Sequence, residues 1–85
     1  MRKIVEDVSG EGLVKFLGEK VLLLCGCYFY TGVLAGANET CVLLKDAEIV
    51  YETGPWTDAK YKVAQRIADE WYVQIAAIES FGKGK

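Results

Sequence analysis

Cys25 and Cys27 flank Gly26, and Cys41 is the third thiol of an 85-residue chain that contains no histidine. A tetrahedral zinc centre takes four thiolate, imidazole or carboxylate ligands, so this set is incomplete. Packing and turn chemistry are the expected roles of the three cysteines, and no metal is expected. Without histidine there is no Ser-His or Cys-His pair to activate a nucleophile. Two carboxylate pairs, Asp46 with Glu48 and Asp7 with Glu11, have the right group for acid–base work. Acids on a solvent-facing strand or helix, however, most often only carry hydration. No glycine-rich loop leads into a helix with a lysine in phosphate-cradling spacing, so nucleotide binding has no support. The chain reads as a non-enzyme without a cofactor.

The aromatic residues Tyr28, Tyr30, Tyr51, Tyr61, Tyr72, Trp56 and Trp71 are the other groups with chemistry to offer. They could stack on bases or fill a partner's pocket, and equally they could pack a core or an interface. Trp56, next to Pro55, is the best candidate for an exposed anchor, with Tyr61 close behind it in sequence as a second partner-binding residue. A formal net charge of −2 with only two arginines, Arg2 and Arg66, argues against a broad basic footprint, because non-specific nucleic-acid affinity comes from neutralised phosphates.

These groups must be positioned by a small fold. The chain is 52% apolar, which is folded-protein composition, and its length suits one domain over residues 1–85. The first residues carry charge without a following apolar run, and no stretch reaches the about 20 apolar residues needed to cross a bilayer. Export and membrane insertion are not expected, and reduced thiols suit a cytoplasmic setting.

Residues 21–52 carry most of the β-forming side chains, broken only by Gly26, Gly32, Gly36 and the polar triplet Asn38, Glu39 and Thr40. That pattern predicts three strands, over about 20–25, 28–37 and 40–52, the last bent near Asp46 and Ala47 where the alternation fails. The first is apolar on both faces and must be covered on both. Residues 1–9 read as a lead-in or a short added strand. Ser9 can cap a short helix over about 10–17 that ends at Gly18. Gly54 and Pro55 end the sheet. Ala59, Val63, Ala64, Ile67, Ala68 and Trp71 then recur at helical spacing, which predicts an inserted helix over about 58–68 within an insertion of about 55–70. Residues 71–81 read as two short strands meeting at Ala76 and Ala77, before a flexible tail of about 82–85.

Together these elements give a mostly β fold, a small, strongly bent five-stranded barrel of SH3-like type with a short N-terminal helix and an inserted helix before the last two strands. The motifs resemble the Sm-like (LSm) family. Leu17 and Gly18 match its helix end and residues 21–24 its first strand. Tyr30, Gly32, Leu34 and Gly36 match its aromatic-x-Gly-x-Leu-x-Gly pattern, and Asp46-Ala47 closes its first motif. The departures are the residues that hold uridine in RNA-binding members. Asn38 stands at the Asp position, Thr40 or Cys41 where an aromatic and Asn would be, and Gln74-Ile75 where Arg-Gly would be. A stacking platform, worth about 1–3 kcal/mol per base, is therefore missing.

The resemblance implies head-to-tail pairing of the last strands into a homo-oligomeric ring, a hexamer or heptamer. Edge physics points the same way, since residues 71–75 and 78–81 would otherwise leave apolar strand edges bare. The functional expectation is a ring-forming Sm-like scaffold or adaptor that engages an unidentified protein partner through Trp56 and Tyr61. The alternative is an RNA-binding protein of the LSm/Hfq type with altered specificity, using Asn38, Thr40 and Gln74 on the pore side.

Overall fold

The computed structural model describes Ile4 and residues 10–85. The expected lead-in over residues 1–9, the Ser9 cap and the Asp7 side of the Asp7–Glu11 pair lie outside the described residues. The chain enters through a 3₁₀ turn, Gly12–Phe16, followed by β1 (Lys20–Cys25), β2 (Phe29–Ala37), β3 (Cys41–Glu52) and β4 (Val63–Gln74). A second 3₁₀ turn, Ile75–Ala77, leads into β5 (Ile78–Lys83). All four ladders are antiparallel, and the strand order across the sheet is β4-β3-β2-β1-β5.

β1 lies inside the sheet between β2 and β5, which explains its uninterrupted apolar run. Val21, Leu23 and Cys25 join Leu34, Val42, Leu44, Ala47 and Val73 in one buried cluster, while Leu22 and Val50 are also buried but stand outside it. Both faces of β1 are thus covered within a single chain. Leu13 and Phe16 of the first turn pack against the cluster, and the Phe16 ring meets Phe81 of β5 edge-on, with centroids 6.4 Å apart. The predicted N-terminal helix is reduced to this turn. Gly12 adopts a left-handed φ of 69°, and Glu11 at the cap position makes no side-chain capping bond, so nothing nucleates a longer α-helix.

β2 and β3 bend together where the sequence predicts a bend. Asp46 takes a positive φ of 51°, and the register slips between Thr31 and Val33 opposite it. Such a bulge turns a strand by inserting unpaired residues. Gly32 fills the inside of that bend. At the tip of the β2–β3 hairpin, the Asn38 side-chain oxygen accepts hydrogen bonds from the Thr40 and Cys41 amides, both at 2.8 Å, and from the Thr40 hydroxyl at 3.0 Å. Thr31 is the one buried polar side chain among the described residues, and its hydroxyl donates to the Val21 carbonyl at 2.8 Å.

Two expectations are overturned. The inserted helix over 58–68 does not exist: residues 63–74 form β4, paired with β3 from Glu52↔Val63 to Cys41↔Gln74. Val63, Ile67 and Trp71 are spaced by four, an interval that returns to one face in both a helix and a strand, and the long open rim of β3 decides between them. The barrel is not closed or strongly curled either. β4 and β5 form the two rims of an open sheet, and no ladder joins them among the described residues. Closure demands a matched tilt and stagger of every strand; here the β2–β3, β3–β4 and β1–β5 ladders all carry register shifts, but no ladder pairs the two rims among the described residues.

The loop of residues 53–62 replaces the expected insertion. Gly54 turns it with a φ of 69°, and Asp58 and Lys62 amides donate to the Pro55 and Thr53 carbonyls at 3.0 and 3.3 Å. In the segment expected as a tail, Gly82 and Lys83 complete β5, and the Gly84 amide donates to the Lys20 carbonyl at 2.9 Å.

Candidate functional site

Tyr28, Tyr30, Trp71 and Tyr72 are gathered around a groove of about 630 Å³ at one end of the sheet. One wall is the C-terminal part of β4, to which Trp71, Tyr72, Val73 and Gln74 all contribute. Successive strand residues point to opposite faces, so four in a row on one groove means that the wall is the outer edge of β4. The facing wall is the β1–β2 turn, Cys25 to Tyr28, closed by the Cys25 amide donating to the Tyr28 carbonyl at 3.0 Å. Tyr30, Ala76 and Ala77 complete the lining, and no charged side chain takes part.

Two groups of the groove, Cys25 and Tyr30, are biased toward their neutral forms. Burial pushes the Cys25 thiol above its ordinary range. The Tyr30 phenol is also raised, first by burial and then by Cys25, Tyr28 and Cys27, whose ionised forms would repel its own. Cys25 is buried, Cys27 exposed and Cys41 half-buried, and all three are free thiols. No group of three or more metal-ligating side chains is gathered among the described residues. Of the carboxylates singled out in the sequence, Asp46 is ion-paired with Arg66, which also bonds Asp69.

The predicted nucleic-acid residues are only partly brought together. Thr40 and Gln74 line one shallow depression with Glu39, whose carboxylate is its only charged group, whereas Asn38 lines another with Leu13 and Val14. The Asn38 oxygen is already committed to the hairpin tip. Trp56 and Tyr61, the predicted partner-binding pair, both stand near the ammonium of Lys85, which is 5.3 and 5.2 Å from the two ring centres.

No family model, curated protein or solved structure matches this chain. The Sm-like resemblance therefore has no support beyond its motifs, and the open sheet removes the closed barrel on which it relied. The ring-forming scaffold, the hexamer or heptamer and the RNA-binding alternative all rested on that family and fall with it. No helix among the described residues is long and apolar enough to cross a membrane.

Sequence reasoning left Lys85 in the expected flexible tail and did not connect Trp71 and Tyr72 with the β1–β2 turn. The groove's walls are brought together by strand pairing across β2 and β3 and by the short turn Ile75–Ala77, which carries the chain from Gln74 to Ile78, the partner of Cys25. A signal for Tyr72 was present in the uncharged run of residues 71–74, which follows the charged Arg66, Asp69 and Glu70 of the same strand.

Proposed function

We propose that this protein is a non-enzymatic interaction module that receives an extended, apolar segment of a partner polypeptide along the edge of β4 at residues 71–74. The observation that carries this reading is the coincidence of a strand edge with no partner strand among the described residues and an uncharged, aromatic-lined groove. A bare edge offers main-chain donors and acceptors in register for one more strand, and adjacent pockets select its alternate side chains. Soluble proteins usually blunt such edges with charge. Here the charges lie upstream, while Tyr72 is 65% and Trp71 39% exposed on the uncharged part. An apolar occupant also suits the groove, where an ionic group would find no counter-charge. We read the setting as cytoplasmic and reducing, which three free thiols support.

Panning a displayed random-peptide library against the protein, followed by amide shift mapping of the selected peptides, tests the proposal. Apolar, extended sequences are expected, with slowed exchange of those amides among residues 71–74 that face away from β3. Tyr72→Lys places a charge on the edge at an exposed position and should weaken binding about tenfold or more. Equal binding by Tyr72→Lys, or a footprint away from β4, overturns the reading, as does finding that the edge is covered by a second copy of the chain.

A further inference from the structure

The loop of residues 53–62 is folded around one nitrogen. Lys85 Nζ donates to the carbonyls of Thr53 at 2.6 Å, Pro55 at 2.9 Å and Lys60 at 3.3 Å. The rings of Trp56 and Tyr61 stand 5.3 and 5.2 Å away, within the distance at which a cation is attracted by a ring face. An ammonium has three N–H donors and no acceptor, and the three carbonyls match that complement in full. The loop also has internal ties of its own, from Asp58 to Pro55 and from Lys62 to Thr53. Trp56 is nevertheless 62% exposed, so the enclosure opens to solvent.

From this geometry we infer that residues 53–62 form a receptor for an unmethylated primary ammonium on an unbranched alkyl stem, the chemistry of a lysine side chain, and that Lys85 occupies it as an internal ligand. A lysine from another polypeptide enters by displacing Lys85. Carbonyls converging on a single point select a compact ammonium over the planar fork of a guanidinium. A trimethylated nitrogen has no N–H left for the three carbonyls, so methylation abolishes recognition where a purely aromatic cage would keep it. The Lys85 main chain is moored separately, its amide donating to the Tyr61 hydroxyl at 2.9 Å and that of Gly84 to Lys20. The side chain is therefore free to leave without unpairing β5. This site shares no lining residue with the β4 groove and does not depend on it.

The test uses the full chain with Lys85→Met, which keeps an apolar stem and removes the ammonium. Nα-acetyl-lysine methylamide is titrated while the Trp56 indole N–H is followed by NMR. Saturable binding at millimolar concentration is expected, about tenfold weaker in the unaltered chain because Lys85 competes. The Nε-trimethyl and arginine analogues should not saturate, and adding Trp56→Ala should remove the saturable shifts of the backbone amides of residues 53–62, which are followed in the same spectra. No saturation in folded Lys85→Met, or equal binding of the trimethyl analogue, overturns the inference. A second measurement needs no substitution: in limited acetylation of the unaltered chain, read as the ratio of Lys85 to the other lysines so that reagent consumed by the ligand's own amine cancels, Lys85 should gain on the others when the lysine amide is present and not when its trimethyl form is. An unchanged ratio overturns the inference whether or not the variant folds.

Discussion

Gly32 of β2 and the Lys45 carbonyl of β3 approach so closely that a Cβ at position 32 would lie 2.8 Å from the oxygen. The same Cβ would be 3.2 Å from that of Leu44, whose side chain is fully buried. Neither neighbour is the free end of a flexible side chain. The contact exists because the Asp46 bulge folds β3 over β2 at this point.

Gly32→Ala should accordingly destabilise the protein by about 1–3 kcal/mol, the usual cost of overpacking a filled interior. Gly36, further along β2, has open space for 4 Å around the place a Cβ would take, and no left-handed φ. Gly36→Ala should be neutral or stabilise by up to about 1 kcal/mol through the unfolded state. Urea unfolding of the two variants checks the contrast.

Asn38→Ala removes an acceptor that serves three donors at the β2–β3 hairpin tip. A loss of about 1–2 kcal/mol is expected, as for other lost capping side chains. Asn38→Asp, which keeps the oxygen, should retain most of the stability. Thermal unfolding of both variants distinguishes a hairpin clasp from a ligand-binding amide, since the latter would leave the melting temperature unmoved.

Alkaline pH should weaken the fold. The folded-state values of Cys25 and Tyr30 lie above their ordinary 9.0 and 10.0. Over the interval from each ordinary value up to its folded value, the unfolded chain has released protons that the folded chain still holds. Stability is intact below about pH 9 and falls as pH rises through these windows. Cys25→Ala should flatten the first part of the fall. In the native state Cys27 should react with a maleimide well before Cys25, by peptide mass analysis at about pH 8, because Cys27 is exposed and Cys25 is buried with a raised thiol.

The groove and the ammonium site should act independently. Trp56→Ala is expected to leave the affinity of a β4-edge peptide within about twofold, and Tyr72→Lys to leave the Trp56 indole response to lysine amide unchanged, because the two sites have no residue in common. Calorimetric titration of the peptide and NMR titration of the lysine amide, the latter against Tyr72→Lys and the unaltered chain, give the comparisons.

Residues whose neighbours in sequence determine their surroundings were legible in advance. The double-faced apolar run of residues 20–25 gave β1 within its observed limits, and the failure of alternation at Asp46 gave the bend. Spacing by four misled over residues 58–68, since it fits two periods at once and only the unsatisfied rim of β3 selects the strand. Bare apolar rims were foreseen at residues 71–75 and 78–81, but the inference that neighbouring copies cover them required a closed barrel that the open sheet does not form. The Lys85 enclosure had no local signature: its carbonyl partners lie 25 to 32 residues away and belong to the main chain, which every residue possesses.

The pairing of β5 with β1 joins Lys83 to Val21 across the whole meander. β1 to β4 can zip by successive hairpins, each closing a short span of chain, whereas this last ladder must bring distant segments together and is slow for that reason. Until that ladder forms, one flank of the most apolar strand waits for its partner. The refolding protein is thus most exposed to misassociation in that late, half-finished form, and anything that shields β1 would act there.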